Sequence, residues 1–588
     1  MIAKTHLAEL ESAGLVSLIQ AAPEIEYIFR HTLIHDAAYG SLLKSDRQAL
    51  HLATGIVLEE LYDQRTEEIA TVLARHFEAA GDDERALKYY SLSGERALAV
   101  YALPEAIAHY DHAIKIALKA PADLRKLKRL FSQRGLALEL DAQYQRALEN
   151  YHEMEALGEK LDSPQLILTS YIARAKVHAT PSEVHSIENV QEYSRQALEL
   201  AIQIDDQTAQ ARIYWILCLL YVRTGKYNDS ILNGEKALEL ARQLDNSELQ
   251  AYTMNDLSLA YLSTFQFEKG SRSLIEAQRL WRTLGNMPML VDNLSTMTAY
   301  DYYQVNYEQA LKNYPEAAAI SQSIGNLWGQ AYSRMFIGNI YYEMGRISEA
   351  IRMMEACLDL AKQAGFVIPS QVTQAELAWV YAYLGDSQRG LDILDSALKE
   401  DVLRIAGWFL WKHIVKARIH ILRKEFDQAE QWIAQIWHFI KNGDAPGFIR
   451  LYPTFLECQL GLARQDYAEA LDTISSLENE SFGSFRHFLP SLLLMRGQAL
   501  VGMGMLSDAQ AALEKARQEA EANQRQTIAW EILAALAQLA ERQGLPDQAA
   551  QYLAQARQAI AFIADHIEDP LLRASFLDRA EVSAIWQG

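Results

Sequence analysis

The amino-acid sequence predicts an all-α protein built as a solenoid of helical hairpins, and three observations lead to this fold class. The 588 residues include only 13 prolines and 28 glycines, and Ala, Leu, Glu and Gln dominate the stretches between them, as is typical of helices. A turn motif recurs about every forty residues along most of the chain. A small side chain stands at a fixed distance before each of these turns, as expected where two helices cross closely.

Composition and charge narrow the class of partner. Half of the residues (50%) are hydrophobic, which is enough to bury a core along the whole chain. The net charge of −21 disfavours direct contact with nucleic acid or an anionic membrane, because such contact needs Lys and Arg side chains that replace counterions. Proteins or peptides that are basic or neutral fit better as partners.

Cysteine usage and hydropathy bear on the compartment. The cysteines are Cys218, Cys357 and Cys458, which are far apart and odd in number, so they support neither a disulfide framework nor a metal knuckle. The first residues lack the long apolar core of a signal peptide, and no stretch of about 18 apolar residues occurs. We therefore expect a cytoplasmic protein that binds no metal and no cofactor.

Residues 1–66 do not follow the period of the repeats. Their pattern predicts a helix, a short β-hairpin and two further helices. Residues 29–43 read FRHTLIHDAAYGSLL. This segment resembles the end of the winged-helix module that joins a nucleotide-binding ATPase to its helical-repeat sensor, in STAND-type regulators and in ATPases linked to nucleotide cyclases. The resemblance implies a small winged-helix-like remnant over 1–66, with linking helices.

From residue 67 the repeats begin with irregular spacing. The turn at Gly81 precedes the turn at Tyr101 by only 20 residues. Such compression is typical of the end of a solenoid, where a unit caps the array. Around Pro181 a longer loop replaces the short turn, and we expect a hairpin with an extended connection there.

Nine later turns share a motif in which a small residue follows five positions after the turn, and in seven of them an aromatic or aliphatic residue follows two positions after it. In the first of them Gly225 is followed by Tyr227 and Ser230. The turns are Gly225, Phe265, Val305, Gly345, Gly385, Lys424, Gln465, Gly504 and Gly544. Seven residues before each turn stand Cys218, Ser258, Thr298, Gly338, Ala378, Ala417, Cys458, Gly497 and Ala537. Small residues let the two helix backbones approach, and tyrosines four before several turns fill the remaining gap.

This order of small residue, tyrosine, turn, aromatic residue and alanine resembles the tetratricopeptide repeat. The helices are lengthened from the usual unit of about 34 residues to about forty. The resemblance implies a right-handed superhelical solenoid of about twelve hairpins over 67–565. Long-helix versions occur in the sensor regions of bacterial signal-transduction ATPases and in peptide-binding regulators, so the resemblance implies a sensor or regulator.

The C-terminal segment, 566–588, is expected to form a capping helix. Residues 569–582 read DPLLRASFLDRAEV and resemble the closing helix of the same sensors. Together with the N-terminal segment, they imply that the chain corresponds to the C-terminal half of a STAND- or AAA-type signalling ATPase, of the LuxR-type regulator or nucleotide-cyclase-associated families, or to a stand-alone descendant.

No motif in the sequence indicates catalysis, so we expect the protein not to be an enzyme. No GxxxxGK(S/T) loop occurs, and the nearest match, Gly225-Lys226, is followed by Tyr227 inside a repeat turn. His31 and His35 are four residues apart on a helical face, but no third ligand is close in sequence, which favours capping or packing over zinc binding. No repeat carries a cluster of acid, base and nucleophile.

The first helix of each hairpin carries the candidate ligand-binding residues. In a tetratricopeptide superhelix this helix lines the concave face, and counting back thirteen, ten, six, three and two residues from each turn selects its exposed side. The count yields Trp215, Tyr252, Asn255, Tyr302, Tyr303, Tyr332, Asn339, Tyr342, Trp379, Tyr383, Trp411, Arg418 and Tyr452. Aromatic, Asn and Arg side chains suit an extended or helical peptide. The alternative is that many of these aromatic side chains pack between helices.

The leading hypothesis is a regulatory sensor and scaffold. It would bind a protein, a peptide or an inducer on its concave face and pass the occupancy to an effector module through residues 1–66. A passive assembly scaffold and a peptide-binding quorum-type regulator are the alternatives. The passive scaffold predicts a rigid shape with and without partners.

Overall fold

The computed structural model describes most of the chain, and each of its two compact units is described by itself. The described residues are 2–20, 26–119, 123–180, 182–399, 408–441, 447–479 and 486–587. The units are Met1–Leu200 and Ala201–Gly588. Both consist of helices, apart from one small sheet, so the predicted all-α repeat fold is confirmed. None of the described helices is long and apolar enough to cross a membrane.

The first unit begins with helix, hairpin and two helices, in the order that the sequence predicts. These elements are α1 (Ile2–Ser12), β1 (Val16–Gln20), β2 (Glu26–Phe29), α2 (Thr32–Ser41) and α3 (Lys44–Leu61). The two strands pair antiparallel, with Val16 opposite Phe29. Gly55 lets α3 lie against the next helix, because a Cβ at this position would come within 2.9 Å of the Phe77 side chain.

Helical hairpins fill the rest of the first unit. Its helices are α4 (Ala70–Ala80), α5 (Asp83–Ala99), α6 (Leu103–Ala117), α7 (Leu124–Leu140), α8 (Tyr144–Lys160), α9 (Pro164–Ala179) and α10 (Ile187–Gln203), the last of which runs across the boundary. Pro181, in the predicted longer loop, lies outside the described residues. The described flanks of that loop are joined by a hydrogen bond between His178 Nδ1 and the Val184 carbonyl oxygen, 2.7 Å apart.

Nine hairpins follow in the second unit, one for each of the nine predicted turns. Their helices are α11 (Gln207–Arg223), α12 (Tyr227–Gln243), α13 (Ser247–Ser263), α14 (Phe267–Leu284), α15 (Met287–Tyr303), α16 (Tyr307–Ser323), α17 (Leu327–Glu343), α18 (Ile347–Gln363), α19 (Val367–Tyr383), α20 (Ser387–Lys399), α21 (Leu410–Leu422), α22 (Phe426–Lys441), α23 (Leu451–Arg464), α24 (Tyr467–Asn479), α25 (Leu489–Gly502), α26 (Leu506–Ala522), α27 (Gln526–Arg542) and α28 (Pro546–Asp565). The odd-numbered helices are called the inner helices below.

Every one of the nine predicted turn residues adopts the left-handed backbone conformation, with positive φ. At the first turn the amide of Lys226 donates to the Tyr221 carbonyl at 2.9 Å and that of Gly225 donates to Val222 at 3.3 Å. These two bonds form a Schellman motif that satisfies the last carbonyls of the helix. Glycine adopts this conformation without strain, whereas Phe265 and Val305 do so at a cost of about 1–2 kcal/mol each.

The small residues seven before each turn lie at the helix crossings, as predicted. Cys218, Ala378 and Ala417 are fully buried. At Gly338 a Cβ atom would come within 2.7 Å of Met354 Cγ on the second helix of the same hairpin. All three cysteines are buried free thiols, and two of them, Cys218 and Cys458, stand at such positions.

The array of the second unit closes on itself. The inner helix α27 contacts α17, five hairpins earlier, and a short 3-10 turn at Arg486–Phe488 contacts α15. Across the same closure the Ser348 amide donates to the His566 carbonyl at 3.0 Å. Six inner helices, α17, α19, α21, α23, α25 and α27, therefore surround a common interior.

The predicted C-terminal capping helix is instead two short helices, α29 (Pro570–Asp578) and α30 (Ala580–Trp586). They are separate because Arg579 has an extended backbone, with φ −55° and ψ 134°. Besides covering the end of α28, they pack back onto earlier repeats, where Phe576 stacks on Tyr383 with ring centroids 5.7 Å apart.

Candidate functional site

A cavity of about 510 Å³ lies inside the closed part of the second unit and is called the central cavity below. Two register positions face it on successive inner helices. Two residues before a turn, the positions are Glu343, Tyr383, Leu422, Ala463, Gly502 and Arg542. Six residues before a turn, they are Trp379, Arg418, Gln459, Gln498 and Gln538. The repeat therefore places equivalent positions around one space.

The central cavity carries a charge opposite to that of the chain. Its charged lining residues are Arg418, Arg525, Arg542, Arg579, Glu343 and Glu531. Four arginines against two glutamates give a formal charge of +2, in a chain whose net charge is −21. Because protein walls screen charges less than water does, this positive charge attracts any anion that enters the cavity.

One side of the cavity is held by a buried ion pair across the closure. Arg525 donates from Nη2 and Nε to the Glu343 carboxylate, at 2.8 and 3.0 Å, and from Nη1 to the His487 carbonyl oxygen. Burial alone would raise the pKa of Glu343, but the charge of Arg525 holds that pKa below its usual value. Burial, followed by the charge of Arg525, lowers the pKa of His487 to about 3, so its imidazole is neutral. Its nitrogens lie 3.1 Å from Tyr302 Oη and 3.3 Å from Tyr307 Oη.

Arg418 lines the cavity with guanidinium N–H groups that have no acceptor among the described residues. Its guanidinium lies over the indole of Trp379, 3.5 Å from the ring centroid. Trp379 is itself fixed by a hydrogen bond from its Nε1 to Tyr342 Oη at 2.8 Å. No hydrogen-bond acceptor for Arg418 occurs among the residues that the structure describes. The flat face of the guanidinium is therefore occupied while its N–H groups are free to donate.

The junction of α29 and α30 supplies another arginine. Arg579 donates from Nη1 to the Tyr383 carbonyl oxygen at 2.7 Å. Tyr383 Oη in turn accepts from Trp530 Nε1 at 2.9 Å and donates to the Thr527 carbonyl at 3.2 Å. The C-terminal helices are thus anchored on a residue that also lines the central cavity.

A second feature, called the acid–aromatic patch below, lies on the inner helices α11, α13, α15 and α17 and consists of Trp215, Tyr252, Asn255, Asp256, Asp292 and Tyr332. Trp215 Nε1 donates to Asp256 Oδ2 at 2.6 Å, and the Asn255 amide donates to Asp292. Tyr252 lies between the indoles of Trp215 and Trp281, at 5.2 and 4.8 Å.

The two carboxyl groups of the patch bind protons unusually tightly. Burial raises the pKa of Asp256 to about 6. Burial, and then the charge of Asp256, raise the pKa of Asp292 to about 7. The patch therefore changes its charge close to neutral pH, whereas Glu343 stays ionised there.

The thirteen sequence-predicted residues fall into three neighbouring groups of the second unit, and Asn339 stands apart. Tyr342, Trp379, Tyr383 and Arg418 line the central cavity. Trp215, Tyr252, Asn255 and Tyr332 belong to the acid–aromatic patch. Tyr302, Tyr303, Trp411 and Tyr452 form contacts between these groups, with Trp411 and Tyr452 centroids 4.6 Å apart. Asn339 is buried, and its Oδ1 has no hydrogen-bond partner in the described part of the chain. A role of all thirteen in ligand binding stays a prediction.

The inner face is less open than the sequence suggests. Eight of the thirteen side chains are buried rather than exposed: Asn255, Tyr302, Tyr303, Asn339, Tyr342, Trp379, Tyr383 and Trp411. Part of the cover comes from the closure, since Tyr302 contacts His487 and Tyr383 contacts Phe576. Counting from the turns treats each hairpin as isolated and therefore misses this cover.

Sequence reasoning also missed most of the charged cavity residues. Glu343 and Arg542 stand two residues before a turn and Glu531 stands thirteen before one, so the count reaches them. Glu343 and Glu531 do not fit the aromatic, Asn and Arg pattern expected of a peptide-binding face, whereas Arg542 fits that pattern and was missed. Arg525 and Arg579 lie outside the inner-face register, and no local signal marks them.

The arrangement is suited to binding. The cavity offers guanidinium groups, amides and aromatic side chains, and among its described lining residues no nucleophile lies next to a base. No group of three or more His, Cys, Asp or Glu side chains that could hold a metal ion occurs in the part of the chain that the structure describes. In the first unit His35 Nδ1 contacts Asp36 Oδ1 at 2.9 Å, and the imidazole stacks on Tyr39.

The fold and the register of its turns define the class of protein. The chain is built from tetratricopeptide-like helical repeats, and in the second unit these repeats close around an internal polar cavity.

Comparison with known proteins agrees with this class. The APC/C hetero-tetramer Cut9-Hcn1 is similar, with a TM-score of 0.50 and 12% identity over 94% of each chain. A Rap protein complexed with competence and sporulation factor has a TM-score of 0.45 and 12% identity, over 61% of this chain and 98% of that one. Aspartyl phosphate phosphatase F from Bacillus subtilis has a TM-score of 0.40 and 15% identity, over 60% of this chain and 92% of that one. At such identities the likeness shows the fold alone. No protein-family model matches the sequence, and no curated protein matches it.

Proposed function

We propose that the protein is a regulatory sensor without catalytic activity of its own, whose second unit binds a peptide or a small inducer in the central cavity. The observation that carries this proposal is the free N–H edge of Arg418 inside a cavity surrounded by six inner helices. The Arg418 guanidinium is half-buried and has no acceptor among the described residues, so a ligand that supplies one in place of water gains a charge-assisted hydrogen bond.

A ligand bound in this cavity would affect many repeats at once. In an open solenoid each hairpin contacts only its neighbours, so a local ligand shifts one interface. Here one ligand touches helices from α17 to α27 and lies beside the Glu343–Arg525 pair that holds the closure. Binding therefore changes the stability of the closed arrangement, which is the property that a sensor needs.

Residues 1–66 supply a candidate coupling element. Their helix, hairpin and two helices have the order expected of the winged-helix remnant in STAND-type signalling ATPases. On this proposal the segment joins the repeats to a signalling module, and the protein acts in the cytoplasm. A peptide-binding quorum-type regulator is the same proposal with a peptide as the inducer.

A passive assembly scaffold is the second candidate function. It is supported by the buried pair of Glu343 and Arg525, which are 9% and 4% exposed and close the array without any ligand. On this view the central cavity is only a by-product of closure, and partners bind the outer surface.

Hydrogen exchange on the purified protein separates the two functions. The chain would be measured alone, with the small-molecule and peptide fraction of a host-cell extract, and with the macromolecular fraction. A sensor shows slower amide exchange in α17, α21 and α27 with the small fraction, together with a changed rate in residues 1–66. Unchanged exchange in all these segments with the small fraction contradicts the sensor and favours the scaffold.

A further inference from the structure

We propose that the central cavity recognises a small organic anion, a carboxylate or phosphate attached to an apolar or aromatic body, with Arg418 as its principal contact. This inference rests on the proposed function, because it names the ligand class of the same cavity. Three features of the cavity support it: the net charge left after internal pairing, the free donors, and the apolar walls.

Internal pairing leaves the cavity positive. Arg525 is neutralised by Glu343 through two hydrogen bonds. The remaining charged lining residues are Arg418, Arg542, Arg579 and Glu531, three cations against one anion. Burial also raises the pKa of the Glu531 carboxyl, and the charges of Arg579 and Arg418 oppose that rise. Arg579 Nη2 also lies 4.0 Å from the Glu581 carboxylate, which is outside the lining, so an anion entering the cavity meets an excess of at least one positive charge.

Each of these three arginines keeps N–H groups that the protein does not use. Arg418 has none of its donors engaged in a hydrogen bond within the described residues. Arg542 donates one hydrogen bond, from Nη1 to the Val501 carbonyl oxygen at 2.9 Å. Arg579 also donates one, from Nη1 to the Tyr383 carbonyl oxygen at 2.7 Å. A planar guanidinium held by its face or by one N–H presents the paired donors that match the two oxygens of a carboxylate or phosphate.

The walls beside these donors suit an apolar body. Tyr342, Trp379 and Tyr383 form one wall, and Leu494, Met495 and Ile528 contribute apolar surface elsewhere in the lining. The volume of about 510 Å³ is in the range of small-molecule sites and too small for a folded domain. A ligand with a charged head and an apolar body would satisfy both parts of the lining.

Calorimetry with pairs of ligands that differ only in charge tests the inference on the full chain. The main pair is 1-naphthylacetate and its neutral amide, 1-naphthylacetamide. Two further probes separate the sources of the anion: 1-naphthyl phosphate, and the tripeptide Gly-Gly-Phe with a free or an amidated C-terminus. We expect at least one anion to bind about tenfold or more tightly than its neutral counterpart, and this preference should weaken as salt is raised.

Arg418→Gln provides the decisive variant. It should weaken the preferred anion about tenfold or more while leaving the neutral counterpart unchanged, because only the charge-assisted hydrogen bonds are lost. Arg272→Gln is the matched control, since Arg272 is a 75% exposed arginine on the outer helix α14. Unchanged melting of both variants confirms that the fold is retained.

The possible results separate this inference from the proposed function. Equal binding of every charged and neutral pair, no binding of any probe anion, or parental affinity in Arg418→Gln each overturns the anion site. If extract still protects α17, α21 and α27 and changes exchange in 1–66 in that case, the sensor stands with another ligand class. Anion binding that leaves residues 1–66 unaffected supports the anion site and contradicts the sensor.

Discussion

The acid–aromatic patch and the central cavity lie on the same face of successive inner helices, yet each uses tryptophan in a different way. In the patch, Trp215 points its N–H edge at Asp256. In the cavity, Trp379 offers the face of its indole to Arg418 and directs its N–H elsewhere. Because an indole has a positive edge and a negative face, one kind of side chain can support either sign of charge. The repeat therefore fixes the positions, and the orientation of the indole sets the charge that each position supports.

The two regions also differ in what holds them. The patch depends on hydrogen bonds between neighbouring hairpins, whereas the cavity depends on contacts between residues about 180 positions apart, such as Glu343 and Arg525. Removing one partner of a long-range pair should therefore cost more than removing a local donor, and the following predictions run from the largest expected effect to the smallest.

Arg525→Leu should have the largest effect. It leaves Glu343 buried without its partner, and breaking a buried pair in this way costs about 3–5 kcal/mol. The measurement is urea unfolding followed by hydrogen exchange, which should show the loss in α17 and α27 and not in the patch.

Glu343→Leu combined with Arg525→Leu is the matched control for that variant. With both charges removed, the double variant should recover much of the lost stability. A single variant as stable as the parent would show that the closure does not depend on this pair.

Gly338→Leu should have the second largest effect on stability. Gly338 lies on α17, the inner helix that borders both regions. Its new side chain would meet Met354, 2.7 Å from the position of a Cβ, and should destabilise the unit by about 1–3 kcal/mol. Thermal melting measures the change. Ala319→Leu, at an exposed site on the outer helix α16, is the control and should melt like the parent; parental melting of Gly338→Leu would mean that the crossing is wrongly placed.

Changes of pH should move the two regions in opposite directions. The folded-state pKa values of Asp256 and Asp292 are raised to about 6 and 7, so the folded patch holds protons that the unfolded chain releases, and its stability falls as pH rises from about 4 to 7. His487, with a folded-state pKa lowered to about 3, is protonated more readily when unfolded, so the cavity region loses stability as pH falls below about 6.5.

Hydrogen exchange at pH 5 and pH 8, corrected for the intrinsic exchange rates, checks this opposition. Amides of α13 and α15 should be better protected at pH 5, and those of α25, which directly follows His487, at pH 8. Helix α27 is left out of this comparison, because the raised pKa of Glu531 acts there in the opposite direction. Asp292→Asn should reduce the pH dependence in the patch alone. The same direction of change in both regions would contradict the assignment of these groups.

Trp215→Phe should have the smallest effect, about 1 kcal/mol, since it removes one hydrogen-bond donor and keeps an aromatic side chain. The loss of that donor should also raise the pKa of Asp256, which NMR titration of the carboxyl can follow. Trp379→Phe is the comparison, because its donor bonds to neutral Tyr342 and not to an acid. An unchanged Asp256 titration in Trp215→Phe would show that the indole does not act on the carboxyl.

Features that depend on nearby residues could be predicted from the sequence, and features that depend on distant residues could not. All nine turn residues were predicted, including Phe265 and Val305, because a turn is fixed by residues within one helix end. The order of elements in 1–66 was predicted for the same reason. The closure was not, because it depends on a small rotation added at every hairpin and on pairs such as Arg579 with Tyr383, 196 positions apart.

The closure has a consequence for synthesis on the ribosome. Glu343 leaves the ribosome 182 residues ahead of Arg525, and at about 5–20 residues per second this is an interval of roughly ten to forty seconds. During that time Tyr302 and Tyr383 lack the cover that His487 and Phe576 later give them. Nascent chains that pause between α19 and α27 are therefore the species most in need of a chaperone. A stop codon in this stretch would leave that apolar surface permanently exposed.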